Sequence, residues 1–111
     1  ENHSLFIKTD DSLWAMGGNG HGQLGDGTKT DRVIPVKITD GILNVVTGGF
    51  GNQGHSLFIR TDGSLWAMGY NGYGQLGDGT TTDRSNPIQI GSNSIMVATG
   101  GRHSISVFGA P

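Results

Sequence analysis

Three histidines open near-copies of one short stretch: His3-Ser-Leu-Phe-Ile, His55-Ser-Leu-Phe-Ile and His103-Ser-Ile-Ser-Val. Imidazoles repeated in this way could ring a metal ion. Equivalent positions in successive repeats lie too far apart to share one ion, however, because Zn–N bonds are only about 2.0–2.1 Å long. The repeated His is therefore expected to be structural, bridging its strand to a neighbouring one. Asp26, Asp31, Asp78 and Asp83 sit in two Gly-Asp-Gly-Thr-x-Thr-Asp loops. Oxygen-rich loops can hold Ca²⁺, but this is not the EF-hand order. Asp and Thr also close turns by bonding their own backbone. Neither a metal nor a cofactor is expected.

The aromatic residues divide into two sets. Trp14 and Trp66 lie in apolar runs with Leu, Ala and Met, and are expected to pack between sheets rather than stack on a sugar. Tyr70, Tyr73 and His21 occupy loop positions next to Asn and Gln. An aromatic ring beside amide groups can stack on and hydrogen-bond a sugar or a peptide. Tyr70, Asn71, Tyr73, Gln75 and His21 are thus the residues expected to meet a ligand or partner. No serine stands with a His and an Asp at a readable spacing, and no paired carboxylates stand apart from the turns. The Gly-x-Gly-x-x-Gly-like runs open no helix. The chain is not expected to be an enzyme.

These residues are carried by a repeat. Thr9 to Thr28 and Thr61 to Thr80 superimpose with a constant shift of 52 residues. Residues 3–32 and 55–84 differ only at Lys8/Arg60, Asp11/Gly63, Gly18/Tyr70, His21/Tyr73 and Lys29/Thr81. Positions free to differ are expected at the surface or at a turn. A period of this size is one supersecondary unit that must stack on its neighbours to bury its apolar faces.

Within each period the pattern predicts four strands. In the first they are 3–8, 12–17, 35–38 and 43–47, the last closed by Gly48-Gly49. In the second they are 55–60, 64–69, 87–90 and 95–99. Asp10-Asp11 and Asp62-Gly63 are the tight turns, where a left-handed residue is needed and Gly or Asp serves. Leu24 and Leu76 are the apolar residues of two long Gly-rich loops, and are expected to plug into the core and pin them. Pro35 is expected to start an edge strand. Four short antiparallel strands per period is the arithmetic of a β-propeller blade. The expected units are a first blade over 1–54, a second over 55–102, and a strand of a third over 103–111. The first junction, Phe50 to Gly54, carries a four-residue insertion relative to the second.

Composition agrees with an all-β chain. The 21 glycines are nearly three times the average share of about 7%. A net charge of −2 offers no attraction to phosphates, so nucleic-acid binding is not expected. No apolar run approaches the roughly 20 residues that span a bilayer as a helix. The absence of cysteine removes disulfides and thiolate chemistry and leaves the redox compartment open.

The pattern Asn-Gly-x-Gly-Gln-Leu-Gly-Asp-Gly, present at 19–27 and 71–79 after Ser-Leu-Trp-Ala-Met-Gly, resembles the regulator of chromosome condensation repeats, most closely their bacterial branch. The resemblance covers nearly the whole chain twice. It implies a propeller, most often of seven blades, and for the bacterial branch a secreted or cell-surface interaction role. The eukaryotic founder is similar to a nucleotide-exchange factor for a small GTPase, but its exchange residues align with none here.

Two blades alone leave apolar outer faces larger than the few hundred Å² that a soluble monomer tolerates. The chain is therefore expected to meet further blades, in a longer protein or in other copies of itself. The start at Glu1 reads as a cut and the departure from the pattern after Val107 as an end of the array. Residues 103–111 then form a surplus strand able to clasp a neighbouring subunit. The leading expectation is a non-enzymatic interaction scaffold that binds other blades or another protein. The alternatives are a lectin-like module and, more remotely, an exchange factor.

Overall fold

The computed structural model describes residues 3–49, 54–92, 94–99 and 104–108, the last two ranges through their backbone pairing alone. The described strands are β1 (His3–Ile7), β2 (Leu13–Gly17), β3 (Arg32–Thr39), β4 (Ile42–Gly48), β5 (His55–Arg60), β6 (Leu65–Gly69), β7 (Arg84–Gly91), β8 (Ser94–Thr99) and β9 (Ser104–Phe108). They form three antiparallel sheets in the orders β1-β2-β3, β4-β5-β6-β7 and β8-β9. His103 and residues 50–53 of the junction insertion lie outside the described residues.

The hairpins form because their turns satisfy themselves. Asp11 takes a positive φ of 66° where the second copy has Gly63 at 84°. The Asp10 carboxylate accepts from the Ser12 backbone at 3.0 Å and from its hydroxyl at 2.5 Å. Ser12 Oγ in turn accepts from Trp14 Nε1 at 2.8 Å. Asp62, Ser64 and Trp66 repeat the arrangement. The returning strands then pair Phe6 with Trp14 and Phe58 with Trp66.

Two features differ from the sequence reading. β3 and β7 begin three residues before Pro35 and Pro87, which lie inside their strands rather than at the start. Both are edge strands, and the β2–β3 and β6–β7 registers shift nearby, so the missing proline N–H costs no ladder bond. More consequentially, the sheets are offset from the sequence period. β4 ends the first period, yet it pairs with β5 across the boundary at 54/55 and not with β3. The two-residue link after β3 passes between sheets, anchored on both sides. Ile42 N donates to Asp11 O at 3.0 Å in the first hairpin turn, and Gly41 O accepts from Thr61 N at 2.9 Å in the second. A complete blade is therefore 42–91, built from both repeats. β9, expected as a surplus strand, is held by β8 of the same chain.

The offset explains the core. Leu13, Ile42, Phe58 and Met68 form one apolar cluster with Leu5, Ile7, Ile38, Val45 and Trp66, joining the first sheet to the second. On the other face of the second sheet Leu57, Ile59, Leu65, Ala67 and Leu76 form another with Val46 and Ile90. Alternate residues of β5 serve opposite faces, as a strand buried on both sides requires.

Candidate functional site

The two Gly-rich loops are where side chains with chemistry gather. Each is organised around a buried asparagine. The Asn19 side chain donates to the Asp26 carboxylate and to the carbonyls of Thr28 and Thr30 at 3.0–3.1 Å, and accepts from Leu24 N at 3.0 Å. Its backbone N–H donates to Asp31 Oδ1 at 2.8 Å. Asp26 is also paired with Arg32 at 2.9 Å. Asn71, Asp78, Thr80, Thr82, Asp83 and Arg84 repeat the network. Leu24 and Leu76, hung on these frames, are fully buried.

Burial by itself would raise the Asp26 and Asp78 carboxyls. Hydrogen bonds from Thr28, Arg32 and Asn19, and from Thr80, Asn71 and Arg84, more than offset this and hold both below the ordinary carboxylate range. His3 is also shifted down, chiefly by burial. All three shifts make the unfolded chain bind more protons, so stability is lost on acidification. The loss starts below roughly pH 6.5, through His3, and steepens below about pH 4, through the two aspartates. Thermal unfolding followed from pH 8 to pH 2 should show this two-stage fall in midpoint; a flat profile would contradict it.

The first loop is also a wedge between sheets. A Cβ on Gly22 would lie 2.4 Å from Ser85 Cα, and one on Gly25 would lie 2.9 Å from Met68 Cε. The approach to the Ser85 backbone admits only glycine at 22, and Gly25 is further favoured by its positive φ of 76°. Gly27 N donates to Ser85 O at 2.8 Å, and Ser56 Oγ donates to Gln23 O at 2.7 Å. At the rim His21 Nδ1 lies 2.7 Å from Asp83 Oδ2. The edge of its ring meets Tyr70 at 4.9 Å between centroids, and Tyr70 meets Tyr73 at 5.9 Å.

The structure thus brings together three of the five residues expected to meet a ligand: His21, Tyr70 and Tyr73. His21 and Tyr70 are half-buried against each other rather than free at the surface, while Tyr73 is 51% exposed. Asn71 and Gln75 point the other way: both are buried, the Asn71 amide and Gln75 Oε1 turned onto their own loop. A lectin-like site would need those amides at the surface. Asp83 is the member of the cluster that its role as a turn former concealed. Only the packing of one loop on the other reveals it, because His21 and Asp83 are 62 residues apart.

The histidines and tryptophans hold the scaffold. His3 Nε2 lies 3.0 Å from Ser56 Oγ, bridging the first sheet to the second, and His55 is buried. Ser56 is fully buried, and its hydroxyl proton is directed at Gln23 O, so His3 and Ser56 do not form an accessible nucleophile and base. Lys8 covers Trp14 at 3.8 Å, Arg60 covers Trp66 at 5.5 Å, and Phe58 stacks parallel to Trp66. Among the described residues no group of three or more His, Cys, Asp or Glu converges as metal ligands would.

Antiparallel sheets of three, four and two described strands, the first two joined by an apolar cluster and a loop wedge, define a segment of a β-propeller. The human protein WBSCR16 has the same arrangement in its crystal structure, with a TM-score of 0.80 and 27% identity over 96% of this chain and 29% of that one. The family pattern described as "Regulator of chromosome condensation (RCC1) repeat" matches residues 10–59 and 62–107, and a second of the same description matches 45–75. The chain belongs to the RCC1 repeat family. It is 40% identical over 90 residues to human Protein RCC2, covering 79% of this chain and 17% of that protein. It is 29% identical over 112 residues to the Ultraviolet-B receptor UVR8 of Arabidopsis thaliana, covering 95% of this chain and 25% of the receptor. The chain therefore spans a quarter or less of the length of these two relatives.

Proposed function

We propose that this chain is a non-enzymatic interaction segment whose blade faces bind other protein blades, including those of further copies of itself. One observation carries the reading. The outer face of the first sheet exposes Phe6 at 36%, Ile34 at 73% and Val33 at 88%. The counterpart of Phe6 one repeat later is Phe58, 1% exposed beneath the first sheet. Ser85, the counterpart of Val33, lies under the Gly22 wedge. A surface whose copy is an internal interface is built to be covered.

Mass in solution tests this. Light scattering across a concentration series should give a mass that rises above one chain. A single-chain mass at every concentration, with no partner gained on adding other RCC1-repeat proteins, would count against it. Secretion or display at a cell surface belongs to the same proposal, and fractionation of the source cells with an antiserum checks it.

A further inference from the structure

We propose that Asn19-Gly20 is a self-modification site that the folded first loop holds shut. When the loop lifts from the second sheet, the Asn19 amide is lost and the loop cannot close again. The reaction consumes only water. The Gly20 backbone nitrogen attacks Asn19 Cγ and gives up its proton, the Cγ–Nδ2 bond breaks, and ammonia departs. Water then opens the five-membered imide at either carbonyl, leaving an aspartate or its β-linked isomer at position 19.

The chain sets the most reactive neighbour beside its most heavily used amides. Glycine has no Cβ and so hinders this attack least. Asn19 and Asn71 precede glycine, whereas the other asparagines precede His3, Val45, Gln53, Pro87 and Ser94. Among the described residues Asn19 and Asn71 are also the buried asparagines. Nothing in the fold demands glycine at 20. A Cβ there would have no described atom within 4 Å, and Gly20 does not take a positive φ. Gly22 and Gly25 differ, since both do. At Gly72 a Cβ would run into the Tyr70 side chain, so the clean substitution exists in the first loop.

Folding keeps the reaction from starting. Gly20 N must approach the face of the Asn19 amide, which requires that amide to turn. Turning breaks the donations of Nδ2 to Asp26, Thr28 and Thr30 and the bond that Oδ1 accepts from Leu24 N. The loop is also pinned to the second sheet, by Gly27 N on Ser85 O and by Ser56 Oγ on Gln23 O. Only a local opening of the loop frees the amide.

The product does not fit back. An aspartate at 19 presents an acceptor where Nδ2 donated, facing Asp26 Oδ1 and two carbonyls at 3.0–3.1 Å. The β-linked isomer routes the main chain through Cβ and Cγ, which makes it one atom longer. It also turns the Asn19 carbonyl, which accepts from Gly22 N at 3.0 Å, into a free carboxylate. Both changes fall directly before the wedge at Gly22, where the Ser85 backbone leaves no room for a shift. One opening followed by cyclisation is thus recorded permanently and unseats Leu24.

Peptide mapping of the tryptic segment 9–29 by mass spectrometry, on chain held in mild alkali, tests the site. Conversion at Asn19 should be about tenfold or more slower in the folded chain than in concentrated urea. In low urea it should rise in step with hydrogen exchange of the Leu24 amide. Gly20→Ala should keep or raise the thermal midpoint and slow conversion severalfold in urea. Converted chain, returned to folding conditions, should melt below the parent and exchange the Leu24 amide faster. Equal rates in folded and unfolded chain, or no conversion in urea, overturn the proposal. So does a Gly20→Ala variant that converts as fast as the parent, or a converted chain that regains the parent's midpoint and protection.

Discussion

Phe58→Ala is expected to destabilise the chain by about 3–5 kcal/mol, whereas Phe6→Ala should cost no more than about 1 kcal/mol. The two phenylalanines share a repeat position and both pair across the hairpin with a tryptophan. Their surroundings differ. Phe58 is 1% exposed, packed with Leu13, Ile42 and Met68 and stacked on Trp66. Its truncation leaves a cavity that two sheets cannot easily collapse to fill. Phe6 is 36% exposed on the free face, where water replaces what is lost. Urea unfolding, at a concentration low enough to keep chains apart, should separate the two midpoints clearly. Equal shifts would mean that the apolar cluster between the first and second sheets is not what holds them together.

Asn71→Ala is the second large effect, about 2–4 kcal/mol. Asn71 is fully buried, and its amide is the point to which the whole second loop returns. Removing it leaves the buried Leu76 N and the part-buried carbonyls of Thr80 and Thr82 without their partner, and each such group costs about 1–3 kcal/mol when water cannot reach it. Partial opening of the loop relieves some of that cost. Asn71→Asp keeps the shape but turns a carboxylate oxygen towards Asp78 and the carbonyls of Thr80 and Thr82, so it should cost at least as much as alanine near neutral pH. Protection of the 71–83 amides against hydrogen exchange should fall in both variants. An Asp variant as stable as the parent would refute the donor role of the side chain.

Much of the fold was legible along the chain. The hairpin turns follow from Asp10-Asp11 and Asp62-Gly63, because a left-handed turn position admits few residues. The burial of Leu24 and Leu76 follows from a single apolar residue in a long polar loop. The clustering of the residues expected to meet a ligand was legible in part. His21, Tyr70 and Tyr73 stood out because the two copies differ there; for His21 and Tyr70 the difference reflects a fit of one side chain against the other, while Tyr73 is exposed at the surface. Asn71 and Gln75 resembled ligand-facing amides because sequence does not show which way a side chain points.

The sequence by itself determined the repeat, the antiparallel strands and the propeller class, since turn chemistry and apolar alternation are local properties. It determined the family as well, through the Asn-Gly-x-Gly-Gln-Leu-Gly-Asp-Gly loop. Only the tertiary structure decided where one blade ends and the next begins. β4 leaves its own period for the next sheet because its link is anchored to hairpin turns on both sides, and those anchors lie far away in sequence. The same packing decided that identical residues do different work. Phe58, Met68 and Ser56 are interior while Phe6, Met16 and Ser4 face outward, because burial depends on which sheet stands opposite and not on the residue itself.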